Sequence, residues 1–459
     1  MVNMSGRDTI AAICTPAGSG GLGVIRISGG DAAAVAACVF RSAGIRQVEG
    51  LAGYNAVYGH VFDDSGDIDE CVALAFRAPH SYTGENVVEL SCHGGAYLLR
   101  RVLRAVLDAG ARAADAGEFT RRAFLNGKLD LTGAEAVMDL IAADGKMAAQ
   151  VALSARGGAV YRRIESVKSD LLGAAANLTA FVDYPDDDIP ELSPDMLSEL
   201  LRRADGELTA LLSSYEAGRV LREGVDTVIA GSPNVGKSTL MNLLSGCERS
   251  IVTAIPGTTR DIVEETVRLG EVTLRLADTA GIRVTGDEVE GIGVKLAQAR
   301  LESAALVLVV FDGSRPLTGD DRLLARSAAS RTAIAVVNKA DMRQDIDIEY
   351  LHSMFLHVVC VSAQNGEGID VLERAVAEVT GLNRLDTAQP VLANERQRNC
   401  VVRCRDGVRE AMAALADGIT LDAVNICIDD AVSALLELVG ERTTEAVVDE
   451  VFARFCVGK

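Results

Sequence analysis

Gly231 to Thr239 read GSPNVGKST, a Gly-x-x-x-x-Gly-Lys-Ser spacing in which each defined residue suits a phosphate group. Gly231 and Gly236 let backbone N–H groups turn inward on the phosphates. Lys237 brings them a point charge, and Ser238 offers a hydroxyl to Mg²⁺. Four more motifs follow in order. Thr258 and Thr259 lie in IPGTTRD, a glycine-containing loop in which a threonine can close over Mg²⁺. Asp278-Thr279-Ala280-Gly281 offers a carboxylate to Mg²⁺ through water and the Gly281 N–H to a terminal phosphate. In Asn338-Lys339-Ala340-Asp341 a carboxylate can accept two N–H bonds from guanine, a pair that adenine does not present. Ser362-Ala363-Gln364 supplies backbone N–H groups for the guanine carbonyl. Five motifs in this order point to GTP rather than ATP.

One side chain is missing from the set. A glutamine directly after Asp-x-x-Gly often positions the attacking water, but here that residue is Ile282. Either hydrolysis is very slow or another group takes the role. The stretch IRVTGDEVEGIG offers Arg283, Asp287, Glu288 and Glu290. The developing charge also needs a cation, from an arginine or a metal ion. Asn234 can give its side-chain oxygen to a monovalent cation, or simply hydrogen-bond within its loop.

These residues need strand ends to hold them. β-branched and apolar runs predict strands at Thr227 to Ala230, Val272 to Ala277, Ala305 to Phe311, Ile334 to Val337 and Val358 to Val361. Strands alternating with helices from about 223 to 382 imply a mainly parallel sheet, a Ras-like P-loop domain. Before it, 1–125 reads as an α+β domain. Its strands are expected at Thr9 to Cys14, Val24 to Ile27, Cys71 to Phe76 and Val87 to Leu90, with a helix at Tyr97 to Asp108 carrying Arg100, Arg101 and Arg104 on its outer side. The turn GSGGLG is followed by a strand, so it is not a dinucleotide fingerprint. From 126 to 222 the pattern is helical: Leu129 to Leu153, Val160 to Val182, and a helix capped by Ser193 with Pro194 at its first position. Asp186 to Asp188 between them suit a cation or a solvated loop. From 383 to 459 helices return at Glu395 to Leu415, Ala423 to Leu438 and Glu445 to Phe455, the last capped by Thr443 or Thr444. The economical arrangement is one helical domain with the nucleotide domain inserted between its halves.

Composition bounds the partners. The chain has 459 residues, a net charge of −20 and 49% hydrophobic residues. That acidity argues against a broad nucleic-acid surface, so RNA contact is expected through a local patch or a partner. No apolar run reaches membrane-span length, and the N-terminus has no secretory pattern. Ten cysteines without a C-x-x-C pair read as reduced cytosolic thiols. Cys456 invites a nucleophile reading as well as that of a buried or helix-terminal thiol.

Several stretches carry a closer likeness: DTIAAICTPAGSGGLGVIRISG, SYTGENVVELSCHGG, GEFTRRAFLNGKLDLTGAEAV, LREGVDTVIAGSPNVGKSTLMNLL, IVTAIPGTTRDIVEE, LADTAGIRVTGDEVEGIG, NKAD and the C-terminal FCVGK. From about residue 8 to the end the chain resembles the MnmE (TrmE) family of tRNA-modification GTPases. The resemblance implies nucleotide contacts on Asn234, Val235, Gly236, Lys237, Ser238 and Thr239. It adds the loop Thr253, Ala254, Ile255, Pro256, Gly257, Thr258 and Thr259, then Asp278 to Gly281, Asn338 to Asp341 and Ser362 to Gln364. Mg²⁺ would sit on Ser238 and Thr259, and K⁺ on Asn234, Thr253, Ile255 and Thr258, replacing an arginine finger. Glu290 would orient the attacking water.

The N-terminal domain would form a homodimer and bind 5-formyl- or 5,10-methylene-tetrahydrofolate through Arg26, Glu89, Lys128 and Lys459. The partner would be an FAD-containing MnmG-like protein in a heterotetramer. Together they would add an aminomethyl or carboxymethylaminomethyl group to carbon five of the wobble uridine of certain tRNAs, in the cytoplasm. A GTP-switched ribosome-assembly factor is the alternative from another class. Two departures stand out: CVGK replaces the usual Cys-Ile-Gly-Lys, and Gln397 stands where the family has histidine.

Overall fold

The computed structural model describes residues 8–16, 18–183, 193–247, 265–276 and 304–459. The chain divides into two compact units. One comprises Met1–Met138, Arg156–Leu172 and Asp429–Lys459; the other comprises Asp139–Ala155 and Gly173–Ile428.

The first unit is built on strands β1 (Ile10–Ile13), β2 (Leu22–Ser28), β3 (Phe40–Ser42), β4 (Asn55–Asp63), β5 (Gly66–Phe76), β6 (Val87–His93) and β7 (Arg112–Ala113). Their order is β3-β4-β5-β6-β2-β1-β7, antiparallel except where β7 joins β1. Register aligns Ile25, Leu90 and Ala73 in one row and Ile27, Val88 and Ala75 in the next. The pleat sends both rows to one face, into a core shared with residues of helices Ala32–Val39 and Ala96–Asp108. Leu99, Val102, Ala105 and Val106 form the buried stripe of the second helix, while Arg100 and Arg104 are exposed and Arg101 pairs with Asp63 at 2.7 Å. Strands β3, β4 and β7 are additions to the sequence reading. β4 exposes Ala56 and Tyr58, buries only Gly59 and Val61, and carries Asn55, His60 and Asp63, which weakens the apolar signal of a strand.

The second unit holds β8 (Val225–Ala230), β9 (Glu265–Leu269), β10 (Val272–Leu276), β11 (Leu306–Asp312), β12 (Ala333–Asn338) and β13 (His357–Cys360). The order is β13-β12-β11-β8-β10-β9, parallel except for the edge strand β9. β9 is the strand that sequence reading omitted. β11 is buried along its whole length. Leu306, Leu308 and Val310 pack into one core and Val307, Val309 and Phe311 into the other, because helices cover both faces. The helix that begins at Lys237 of the phosphate motif spans Lys237–Cys247.

Helix Pro194–Ser213 begins as its sequence indicates, with Ser193 accepting from the Met196 N–H at 3.3 Å and Pro194 in the first turn. Its buried face, Leu197, Leu201, Ala204, Leu208 and Leu211, packs on helix Glu395–Ala416. The expected helix Leu129 to Leu153 is instead two, Leu131–Ala142 and Lys146–Arg156. In the first unit, Thr444 rather than Thr443 caps helix Glu445–Ala453, accepting from the Val447 N–H. Among the described residues no helix is long and apolar enough to cross a membrane.

Candidate functional site

β8 runs into the phosphate motif, and its loop is pinned from both sides. The Lys237 ammonium donates to the carbonyls of Gly231 at 2.8 Å and Ser232 at 2.9 Å, closing the loop on itself. Burial lowers the Lys237 pKa. Asn234 stands in left-handed backbone at φ 63°, a conformation that asparagine tolerates better than most residues.

Asn338, at the end of β12, is 3% exposed and ties three motifs together. Its amide Nδ2 donates to the Val235 carbonyl at 2.9 Å, and its Oδ1 accepts from the Ala363 N–H at 3.0 Å. A carbonyl only accepts and an N–H only donates, so these neighbours set the orientation of the amide. Gly236, at φ 95°, passes so close that a Cβ there would collide with Asn338 Nδ2. Asp341 accepts from Ser362 Oγ at 2.5 Å, which orients the carboxylate read as the guanine acceptor. Ser362 Oγ also accepts from the Asn365 N–H, and Gly366 N–H returns to the Ser362 carbonyl, so this loop is internally braced.

Lys339, at φ 65°, places its ammonium 2.6 Å from Asp312 Oδ2 at the end of β11. Burial by itself would raise the Asp312 pKa; hydrogen bonds from Lys339 and Ser314 outweigh it and hold the carboxyl below its ordinary value. Asp312 was not singled out in the sequence. Its position at a strand end, one strand over from the guanine motif, is the only local signal it carries.

The structure therefore gathers Val235, Gly236, Lys237, Asn338, Lys339, Asp341, Ser362 and Ala363 at the strand ends of one sheet. Ligands favour this edge in parallel α/β sheets. Thr253 to Thr259, Asp278 to Gly281, Ile282, Arg283, Asp287, Glu288, Glu290 and Asp186 to Asp188 lie outside the described residues.

In the first unit Arg26 on β2 and Glu89 on β6 are register partners, with Arg26 Nε 2.8 Å from Glu89 Oε1. The Arg26 guanidinium also lies 5.4 Å from the Tyr82 ring centroid and 5.5 Å from that of Phe119. The C-terminal tail is fastened to the same region. Val457 bridges Ala116, the Phe119 N–H donates to the Lys459 carbonyl at 3.2 Å, and Cys14 Sγ donates to the Gly458 carbonyl at 3.1 Å. A Cβ on Gly458 would meet the Ile13 carbonyl, so glycine is needed in this tail. Burial pushes the Cys14 thiol pKa up, with Arg26, Glu89 and Lys459 all close enough to act on it. Lys128 donates to the Pro79 carbonyl at 3.1 Å, in the same loop as Tyr82.

Arg26, Glu89 and Lys459 thus come together around Cys14, a residue that sequence reading did not select, while Lys128 holds the neighbouring loop. Cys400 and Cys404 are buried in helix Glu395–Ala416. Among the described residues no group of three His, Cys, Asp or Glu gathers to hold a metal ion.

The family model described as the MnmE helical domain matches residues 131–456. A second, GTP-binding protein TrmE N-terminus, matches residues 9–128. Among curated proteins, the tRNA modification GTPase MnmE of Geobacter metallireducens is 43% identical over 457 residues, 99% of each chain. That of Symbiobacterium thermophilum is 44% identical over 458 residues, covering 99% of this chain and 100% of the relative. The protein of the same name from Geobacillus thermodenitrificans is 40% identical over 462 residues, 99% and 100% of the two chains.

Proposed function

The chain belongs to the MnmE family of tRNA modification GTPases, and from that premise we propose a potassium-dependent GTPase that modifies the wobble uridine of certain tRNAs. It would act as a homodimer in the cytoplasm, with an FAD-containing MnmG-like partner. The pair adds an aminomethyl or carboxymethylaminomethyl group to carbon five of the base, taking the carbon from a tetrahydrofolate. One observation carries this reading: a single chain holds a phosphate loop tied to a guanine motif through Asn338, and also a sheet on which Arg26, Glu89 and the Lys459 tail converge. We read its parts as residues 1–125, 126–222, 223–382 and 383–459.

The residues present suit the groups this reading requires. Lys128 and Lys459 are cations matched to an anionic folate tail, and the Glu89 carboxylate is an acceptor for pterin N–H groups. Folate would supply the one-carbon unit. Ser238, in the first turn of helix Lys237–Cys247, would hold Mg²⁺ together with Thr259. Asn234, on its left-handed turn, would hold K⁺ together with Thr253, Ile255 and Thr258, and that ion would supply the positive charge otherwise given by an arginine finger. Glu290 would orient the attacking water.

Hydrolysis is expected to run at least about tenfold faster in KCl than in NaCl at equal ionic strength. Phosphate release measured in both salts checks this, and equal rates would remove the potassium assignment. The modification itself is tested by mass spectrometry of tRNA nucleosides from cells with and without the gene. Loss of the carbon-five group at wobble uridines is the expected result. An unchanged nucleoside profile, with immature ribosomal particles accumulating, would instead favour the assembly-factor reading.

A further inference from the structure

The loop between β11 and helix Gly319–Ala328, residues 313–318, contributes nothing to the motifs read from sequence, yet with its flanking aspartates it touches both halves of the nucleotide site. At its start Asp312 holds Lys339 of the guanine motif. At its far side Asp321, 2% exposed, accepts from Ser232 Oγ of the phosphate loop at 2.6 Å. Arg315 lies between the two, with Nη1 2.9 Å from Asp321 Oδ2 and Nε 3.9 Å from Asp312 Oδ2.

We propose that Asp321 is a positioning residue for nucleotide binding: through Ser232 it braces the phosphate loop against the segment that also seats the guanine motif. This rests on the nucleotide reading of the same site. The alternative is that Asp321 serves only its own helix. It is the N3 member of a capping box with Thr318, whose N–H and Oγ1 donate to Asp321 Oδ2 at 3.0 and 2.8 Å. The two carboxylate oxygens divide the work, however. Oδ2 takes the cap and Arg315, whereas Oδ1 takes Ser232. Ser232 is in turn a residue whose carbonyl receives the Lys237 ammonium. A shift at Ser232 therefore moves the anchor of the phosphate-binding lysine. Burial would raise the Asp321 pKa, but donors from Ser232, Thr318 and Arg315 bring it to about 2, so the brace stays ionised through the neutral range.

Ser232→Ala removes the loop end of the brace and leaves the cap intact. Titrating fluorescent mant-GDP and mant-GTP into the full chain should show roughly tenfold weaker binding of both, through faster release. In turnover, KM for GTP should rise with kcat nearly unchanged. Ser232→Thr keeps the hydroxyl and should restore affinity. Thr318→Ala strips one donor from Oδ2, and should lower the melting temperature while leaving nucleotide affinity within about twofold. Wild-type affinity in Ser232→Ala, or equal affinity losses in Ser232→Ala and Thr318→Ala, would overturn the brace. Absence of any binding by the unmutated chain in the same titration would overturn the nucleotide reading beneath it.

Discussion

Asn338→Asp is expected to weaken GTP and GDP binding by roughly a hundredfold or more while leaving most of the β-sheet intact. The new carboxylate can still accept from the Ala363 N–H, but it faces the Val235 carbonyl with an acceptor where the amide had a donor. Two oxygens then confront each other at a site 3% exposed. Gly236 leaves no slack here, since even a Cβ at that position would collide with the Asn338 amide nitrogen. Relief comes from protonating the new carboxyl, at a cost near neutral pH, or from moving the phosphate loop or the end of β12, which separates the phosphate contacts from the guanine contacts. Isothermal titration with GDP, alongside thermal melting, separates this local effect from loss of the fold. Unchanged GDP affinity would show that the link between the two motifs is dispensable.

The second large effect is expected at a residue outside the described part of the structure. Glu290→Ala should lower GTP hydrolysis by about 10²- to 10⁴-fold and keep GTP affinity within a few-fold. Its physical basis is the identity of Ile282, a side chain with no hydrogen-bonding atom at the position where a water-orienting amide is common. A carboxylate that acts on the water, and not on the ground-state nucleotide, should affect kcat alone. Single-turnover hydrolysis with bound mant-GTP provides the measurement. A parallel fall in affinity would make Glu290 structural and return the search to Asp287 and Glu288.

These two residues differ in the range over which their roles are encoded. Glu290 follows from an absence in a motif and from family resemblance, both of which are properties of the linear chain. The role of Asn338 as a guanine-motif member is equally local, but its service to Val235, 103 residues earlier, is not. Ser232, Asp312, Arg315 and Asp321 entered only with the structure. The stretch TGDD does contain a capping-box spacing, Thr318 to Asp321, which marks a helix start and says nothing about the phosphate loop.

The chemistry-bearing motifs, and most of the elements that carry them, are written in short stretches of the chain. The signals concerned are short in range: glycines where the backbone must turn, β-branched runs that suit strands, and caps at helix starts. β11 was legible because both of its faces are covered, so its residues form an unbroken apolar run. β9 was not, because in this five-residue edge strand Thr266 and Arg268 interrupt the buried Val267 and Leu269, so no unbroken apolar run appears.

Pairings between distant residues arise only when the chain is folded. The break between helices Leu131–Ala142 and Lys146–Arg156 comes with a carboxylate from elsewhere, since Glu271 in the β9–β10 turn accepts from the Met147 N–H at 2.8 Å. Likewise Arg26 meets Glu89 through strand register, and the Lys459 tail reaches Phe119 across 340 positions, the difference of the two residue numbers. Such contacts depend on where folded elements meet, and neither the spacing nor the local propensity of the residues involved contains that information.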